Sequence, residues 1–384
     1  MVDTFIQSAF DKAFGGKTTN ANAPGMQGRI EQAERIDWEQ KASEEFDIQL
    51  HKAKIMVVGC GGAGCNTISR LSEMGAAGAD IIALNTDAKH LSITKAHKKL
   101  LIGKDTTRGL GAGGYPQVGK KAAEESRNEI KQLLEGVDLL FVTGGLGGGT
   151  GTGSAPVVSE LAKSMGAIVI AAMTMPFKME GTRINKAEDG LGALRQVADT
   201  VVVIENQKLL EYAGNMPLAQ AFALADELIS MMIKGITETI TVPSLVNLDF
   251  ADVKAIMKCG GVSAICVGES DSQSRVKDAV LKAINHPLLE VDYAGAMGAL
   301  VHVVCGPDCT LAEINEAGEL ISKRLSPEAQ VIWGARIMPE YAGKVQVIAI
   351  ITGVKSPYLL GPMEKSEVAS RETENALGIP VIFK

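Results

Sequence analysis

Residues 139–154 read LLFVTGGLGGGTGTGS, five apolar or β-branched residues and then a glycine-dominated run that ends at Ser154. The apolar segment has the length and composition of a buried strand, and Ala155-Pro156 open a helix, because proline is well tolerated in a first helical turn. A flexible linker would not be clamped so tightly between two ordered elements, so the glycines form a turn of defined shape. Without Cβ atoms, the backbone N–H groups of Gly147, Gly148, Gly149, Thr150, Gly151, Thr152 and Gly153 can close on phosphate oxygens. Thr150 and Thr152 add hydroxyl donors, and the helix end adds positive potential.

Working outward, KIMVVG (from Lys54), ADIIALN, AIVIAAMTMP and TVVVIEN are further short apolar runs separated by helical patterns. Such runs are buried parallel strands, and their alternation with helices gives a doubly wound α/β sheet whose ligand sits at the carboxyl ends of the strands. Gly59-Cys60-Gly61-Gly62-Ala63-Gly64 follows the first strand and satisfies G-x-G-x-x-G, while Asp87 stands where a dinucleotide fold keeps its ribose acid. Taken alone, that motif reads as a nicotinamide dehydrogenase. The second phosphate cradle at 144–154 is one a dehydrogenase has no use for. RGLGAGGYP, after the third strand, falls on the same ligand edge as a third phosphate-side loop.

Pro217 to Thr241 reads as one long helix with Leu218, Phe222, Leu228, Met232 and Ile236 along an apolar face, and Pro243 ends it. Beyond it, strand and helix patterns alternate in a smaller α+β region. The organisation expected is an N-terminal extension over 1–52, a nucleotide-binding domain over 53–216, a central helix over 217–243, an α+β domain over 244–354 and a polar tail over 355–384.

The chain of 384 residues carries 38 Lys and Arg against 45 Asp and Glu, a formal charge of -7, which removes the basic surface that sequence-blind nucleic-acid binding needs. No nucleic-acid partner is expected. The N-terminus lacks a secretory pattern and no segment approaches the roughly 18 apolar residues of a membrane span, so a cytoplasmic protein is expected. Cys60, Cys65, Cys259, Cys266, Cys305 and Cys309 include no C-x-x-C pair, and they read as reduced, mostly core-filling thiols. Val2, Phe5, Ile6, Ala9, Phe10, Ala13 and Phe14 lie on one face of a short amphipathic helix, a membrane-surface or partner-docking element or a helix packed on its own domain.

GGLGGGTGTGSAP resembles the tubulin-like signature of the FtsZ family, prokaryotic GTPases that polymerise at the division site, and agreement runs in order from Lys54 to about Val354. The resemblance implies GTP and GDP as ligands. It places Gly61, Gly62, Ala63, Gly64, Cys65 and Asn66 of GCGGAGCN near the nucleotide, and Asn85 and Asp87 of NTD at its ribose side. It makes LGAGGYP, with Ala112, Gly113 and Gly114, a sensor of the γ-phosphate. Glu180 and Arg183 of PFKMEGTR become ribose and base-side contacts, while Phe222 stacks on guanine and Asp226 hydrogen-bonds it. NLDFADV matches the family's synergy loop, with Asn247, Asp249 and Asp252. LGIPVIFK, Leu377 to Lys384, is similar to the tail peptide by which such polymers reach membrane tethers.

Helix geometry bears on the mechanism independently. If Phe222 and Asp226 touch the base, the span from Asp226 to Thr241 carries the chain roughly 20 Å away at 1.5 Å per residue. Asp249 and Asp252 then cannot reach that nucleotide. A solvated turn or a helix cap is one role for them, and completing another subunit's site, orienting water for attack on the γ-phosphate with Asn247 assisting, is the other. Mg²⁺ is expected, held mainly through phosphate and water. The expectation is a self-assembling GTPase that is cytoplasmic and at the division site. The alternatives are a dinucleotide-dependent oxidoreductase and a non-catalytic scaffold of the same fold.

Overall fold

The structure is a computed structural model that describes residues 53–242, 244–257, 262–285, 291–355 and 359–360. Five apolar runs, together with the half-lysine segment KKLL, become the parallel strands β1 (Ile55–Cys60), β2 (Ala79–Asn85), β3 (Lys98–Leu101), β4 (Leu139–Gly145), β5 (Ile168–Met175) and β6 (Thr200–Glu205). Their order across the sheet is β6-β5-β4-β1-β2-β3, so the direction of winding reverses between β1 and β4. At such a switch point two loops diverge and leave a crevice. The register pairs Cys60 with Gly144, which brings the first glycine loop and the long glycine run out of the sheet side by side.

Helices cover both faces: α1 (Gly61–Met74), α2 (Ala88–Ile93), α3 (Lys104–Thr107), α4 (Pro116–Glu125), α5 (Arg127–Leu133), α6 (Thr150–Ser164), α7 (Thr182–Arg195) and α8 (Asn206–Ala213). Period-2 alternation splits β1 between two cores. Met56 and Val58 pack with α6, whereas Ile55 and Val57 join a core that continues through the long helix α9 (Leu218–Thr241) into a second sheet. On α9, Leu228, Met232 and Ile236 are buried, each worth roughly 1.5–3 kcal/mol of apolar burial. Phe222, expected on the same stripe, is instead 39% exposed. After α9 come α10 (Phe250–Met257), β7 (Val262–Ser270), α11 (Arg275–Ile284), β8 (Gly298–Cys305), α12 (Leu311–Ser322), β9 (Gln330–Ile337) and β10 (Val345–Val354). The second sheet runs β7-β10-β8-β9, antiparallel except between β8 and β9.

Two expectations change. The helix after the glycine run starts at Thr150 rather than Ala155, so Pro156 lies well inside it. Glycines are poor helix formers, but here neighbours leave no room for side chains: a Cβ on Gly153 would sit 2.2 Å from Pro116 O, and one on Gly151 2.7 Å from Gly145 O. The polar tail expected from residue 355 begins with ordered pairing, because Lys355 bridges Asp292 and β11 (Leu359–Leu360) adds an antiparallel edge to β6. The acidic stretch, for which a solvated turn or a helix cap was one of the expected roles, starts helix α10.

Cys60, Cys65, Cys266 and Cys305 are buried, and burial pushes the Cys60 thiol up to about 12 and that of Cys266 to about 11. No helix among the described residues is long and apolar enough to cross a membrane. The N-terminal amphipathic segment, Cys259, Pro243 and Leu377 to Lys384 lie outside the described residues.

Candidate functional site

A cavity of about 630 Å³ opens at the carboxyl ends of the first sheet, over the β1/β4 switch point. Two helix N-termini, those of α1 and α6, border it, and neither has a side-chain cap. The first N–H groups of a helix have no intrahelical acceptor, and in α6 Gly153 is the residue that bonds back, to Gly149 O at 3.0 Å. Thr150 and Gly151, both lining the cavity, therefore present unpaired donors at a positive helix end. Two glycines face the space itself: a Cβ on Gly62 would meet no atom within 4 Å, and one on Gly148 would meet only Arg183 Nη2 at 3.9 Å. The Thr150 hydroxyl lies 2.6 Å from that of Thr86, tying the α6 end to the loop after β2.

Of the expected contacts, Gly62, Ala63, Asn66, Asn85, Asp87, Gly114, Gly148, Gly149, Thr150, Gly151, Glu180, Arg183, Phe222 and Asp226 line the cavity. Gly61, Gly64, Cys65, Ala112, Gly113, Gly147, Thr152 and Gly153 do not, and most of them serve packing. Gly64 is required because a Cβ there would lie 2.5 Å from Thr143 O of β4, and Gly147, at φ 86°, presses on Arg183 O. Cys65 is buried, its sulfur 3.7 Å from Asn85 Nδ2. Thr152, expected to offer its hydroxyl to phosphate, is buried toward α7, its Cγ2 2.4 Å from where a Gly190 Cβ would be. Ala112 is buried against Gly149, and Lys186 of α7 holds the neighbouring turn by donating to Gly114 O at 2.8 Å, with its ammonium 5.2 Å from the Tyr115 ring centre.

At the other end the Phe222 and Phe177 rings lie 5.8 Å apart, tilted by 57°. Asp226 accepts a 2.6 Å hydrogen bond from Thr67 Oγ1, and burial raises its carboxyl above the ordinary range. Glu180 pairs with Arg183 and accepts from Phe177 N at 2.9 Å. Asp87, expected at the ribose side, lines the cavity. Its carboxylate caps α2 through Lys89 N and His90 N, and its backbone pairs with Leu110 beside Gly111, which puts it against the phosphate-side turn.

His90, Asn206, Thr174 and, behind Asp226, Thr67 were not singled out in the sequence. Asn206 had a signal, since it directly follows the apolar run TVVVIE and so sits at a strand's carboxyl end. Asn247, Asp249 and Asp252 do not line the cavity. Asp249 and Asp252 cap α10 reciprocally: Asp252 N donates to Asp249 Oδ1 at 2.9 Å, and Asp249 N to Asp252 Oδ2 at 3.0 Å.

The model of the GTPase domain of the Tubulin/FtsZ family matches residues 54–214, and that of the FtsZ family C-terminal domain matches residues 261–355. "Cell division protein FtsZ 2" of Methanocaldococcus jannaschii is 56% identical over 330 residues, 85% of this chain and 86% of that protein. The chain belongs to the FtsZ family. It is a GTPase of the tubulin fold. "Cell division protein FtsZ 2" of Halobacterium salinarum is 50% identical over 84% of this chain and 82% of its own length. Among solved structures, the M. jannaschii FtsZ dimer matches with a TM-score of 0.74 at 53% identity, covering 82% of this chain and 92% of that one. The Haloferax volcanii CetZ2 protofilament, at 22% identity and a TM-score of 0.66 over 85% of this chain and 100% of that one, shares the fold.

Membership of the FtsZ family overturns the oxidoreductase reading, and the G-x-G-x-x-G loop is one of two glycine-built helix starts at a single cavity. As for a metal, the cavity's carboxylates are engaged, Asp226 by Thr67, Glu180 by Arg183 and Asp87 by the α2 amides. No cluster of three or more His, Cys, Asp or Glu among the described residues is placed to hold an ion. Among the described residues the cavity's own side chains thus offer no such cluster for a directly held Mg²⁺.

Proposed function

We propose that this FtsZ-family GTPase binds GTP in the cavity, assembles head-to-tail into filaments at the division site of the cytoplasm, and hydrolyses GTP between adjacent subunits. The observation that carries the reading is the convergence of two uncapped, glycine-built helix starts on a space bounded at its far end by Phe222 and Asp226. The α1 and α6 amides suit the phosphates. A carboxylate at Asp226 accepts from the N1–H and 2-amino group of guanine, donors that adenine does not offer at those positions, and the Phe222 face suits stacking. Glu180 and Arg183 suit the ribose and the base side, and Gly111 to Gly114 the γ-phosphate.

Within one subunit, α9 separates Asp226 from the acidic cap of α10 by roughly 20 Å. Asn247, Asp249 and Asp252 are therefore assigned to a neighbour's nucleotide, where they orient water for in-line attack and the attacking water loses its proton toward the acidic pair. A contact repeated head-to-tail without closing gives a filament. A relative of known structure supports this, the FtsZ dimer of M. jannaschii. Leu377 to Lys384 is assigned to a membrane-tethering or regulatory protein, and the N-terminal apolar face to a partner or the membrane surface.

The test is sedimentation and phosphate release with GTP across protein concentration. Turnover per subunit should climb steeply as pelletable polymer forms. Constant specific activity down to concentrations holding only monomer overturns the shared site.

A further inference from the structure

His90 occupies the first turn of α2, is half-buried, and lines the cavity, yet it has no role in the reading above. Its neighbours determine which of its ring nitrogens carries the proton. Asn85 Oδ1 accepts from the backbone N–H of Thr86 at 2.9 Å and of Asp87 at 3.2 Å. That leaves Asn85 Nδ2 as the donor side of the amide, 3.4 Å from His90 Nδ1. A neutral imidazole that accepts at Nδ1 carries its hydrogen on Nε2. The ring therefore offers an N–H donor at its other nitrogen.

The surroundings indicate which part of a ligand this donor serves. His90 N donates to Asp87 Oδ1 at 3.1 Å, and Asp87 lies against the Leu110-Gly111 turn. In the proposed function the α1 and α6 amides take the inner phosphates and the Gly111 to Gly114 turn the terminal one, and His90 and Gly111 line the same cavity. An anion reaching that turn meets the Asp87 carboxylate, so a donor beside it is needed to offset the repulsion.

We propose that His90 is a specificity-determining residue that donates Nε2–H to the terminal phosphate of a bound nucleoside triphosphate, so that the site favours tri- over diphosphate. The assignment rests on the GTP reading and deepens it. Asn85 acts through His90 as a positioning residue, holding the tautomer.

The experiment measures dissociation constants for GTP and GDP with the full chain and with His90→Leu and His90→Gln. The expected result is a GTP affinity that falls roughly tenfold relative to GDP in His90→Leu, one charge-assisted hydrogen bond, and that returns in part with His90→Gln, which keeps an acceptor and a donor. A ratio of GTP to GDP affinity equal to that of the unsubstituted chain overturns it, as does an equal loss for both nucleotides. Ring ¹⁵N spectra, with the His90 signal identified by its absence in His90→Gln, should show hydrogen on Nε2, and hydrogen on Nδ1 overturns the assignment without reliance on a variant. Should the unsubstituted chain bind no GTP at all, the proposed function fails; an unchanged ratio with GTP binding intact removes only the role of His90.

Discussion

A Cβ on Gly149 would stand 2.7 Å from the Cβ of Ala112, so the α6 cap and the turn after α3 meet with no space for a side chain. The glycine run is therefore constrained by two partners, the ligand and this turn, and different glycines answer to each.

Gly62→Ala and Gly149→Ser separate the two constraints. An alanine at 62 meets no protein atom within 4 Å, so unliganded thermal stability should hold or rise by roughly 0.5–1 kcal/mol while GTP affinity falls. Serine at 149 must displace Ala112 or Tyr115, and should lower unfolding temperature and GTP affinity together. Calorimetric unfolding beside nucleotide titration reads both. Equal GTP affinity in Gly62→Ala and the parent would remove the α1 end from the site.

Asp252→Ala should bind GTP normally, because its own cavity is intact, yet turn it over very slowly and form persistent polymer. Its fold should weaken by about 1 kcal/mol, since half of the reciprocal cap on α10 goes. Mixing it with Gly149→Ser, which keeps a sound acidic loop, should restore some phosphate release. A mixture as inactive as its components would count against a shared site.

His302 is buried on β8 with Nδ1 unpartnered, and burial, reinforced by Arg336, lowers its pKa from 6.5 to about 4. The unfolded chain then takes up a proton below about pH 6.5 that the folded chain refuses until about 4. The neutral ring's stability is complete above 6.5 and is lost as pH falls to 4, roughly 3 kcal/mol at most. Urea midpoints should fall across that window and do so less in His302→Leu. Parallel pH profiles for the two proteins would assign the acid sensitivity elsewhere.

Two truncations should differ. Removing Leu377 to Lys384 should leave polymer and GTP turnover intact and abolish localisation, as expected of a short segment that contributes no core. Removing everything after Val354 also deletes β11 and bares the β6 edge, and should lower the unfolding temperature. Loss of sedimentation in the shorter deletion would contradict the tether role.

Most strands of both sheets were legible because buried β-branched runs need no context, as was the long helix α9, whereas the half-lysine β3 and the two-residue β11 carried no such run. What sequence patterns did not carry were features set by distant neighbours. Gly151 and Gly153 are helical because Gly145 and Pro116 crowd them, against their own propensity. Thr152 turned from the cavity to fill space at Gly190, and Thr67 became the support of Asp226 only through the packing of α1 against α9. His90 carried no motif, and its significance arises from an amide, Asn85, whose orientation two backbone N–H groups fix. The acidic pair was visible with a helix cap among its roles, but that the cap is reciprocal depended on where α10 begins.

Strand β11 also sets a load path. Leu359 and Leu360 are fastened to Val202 and Val201 of β6, the strand that leads to Asn206 at the cavity wall. Traction on the chain beyond Leu360 first strains this two-residue zipper and enters the nucleotide-bearing sheet directly. Once the zipper peels, the same pull reaches the bridge between Lys355 and Asp292 and then β10. The position of that seam sets which half of the molecule would first bear tension applied to the chain beyond it.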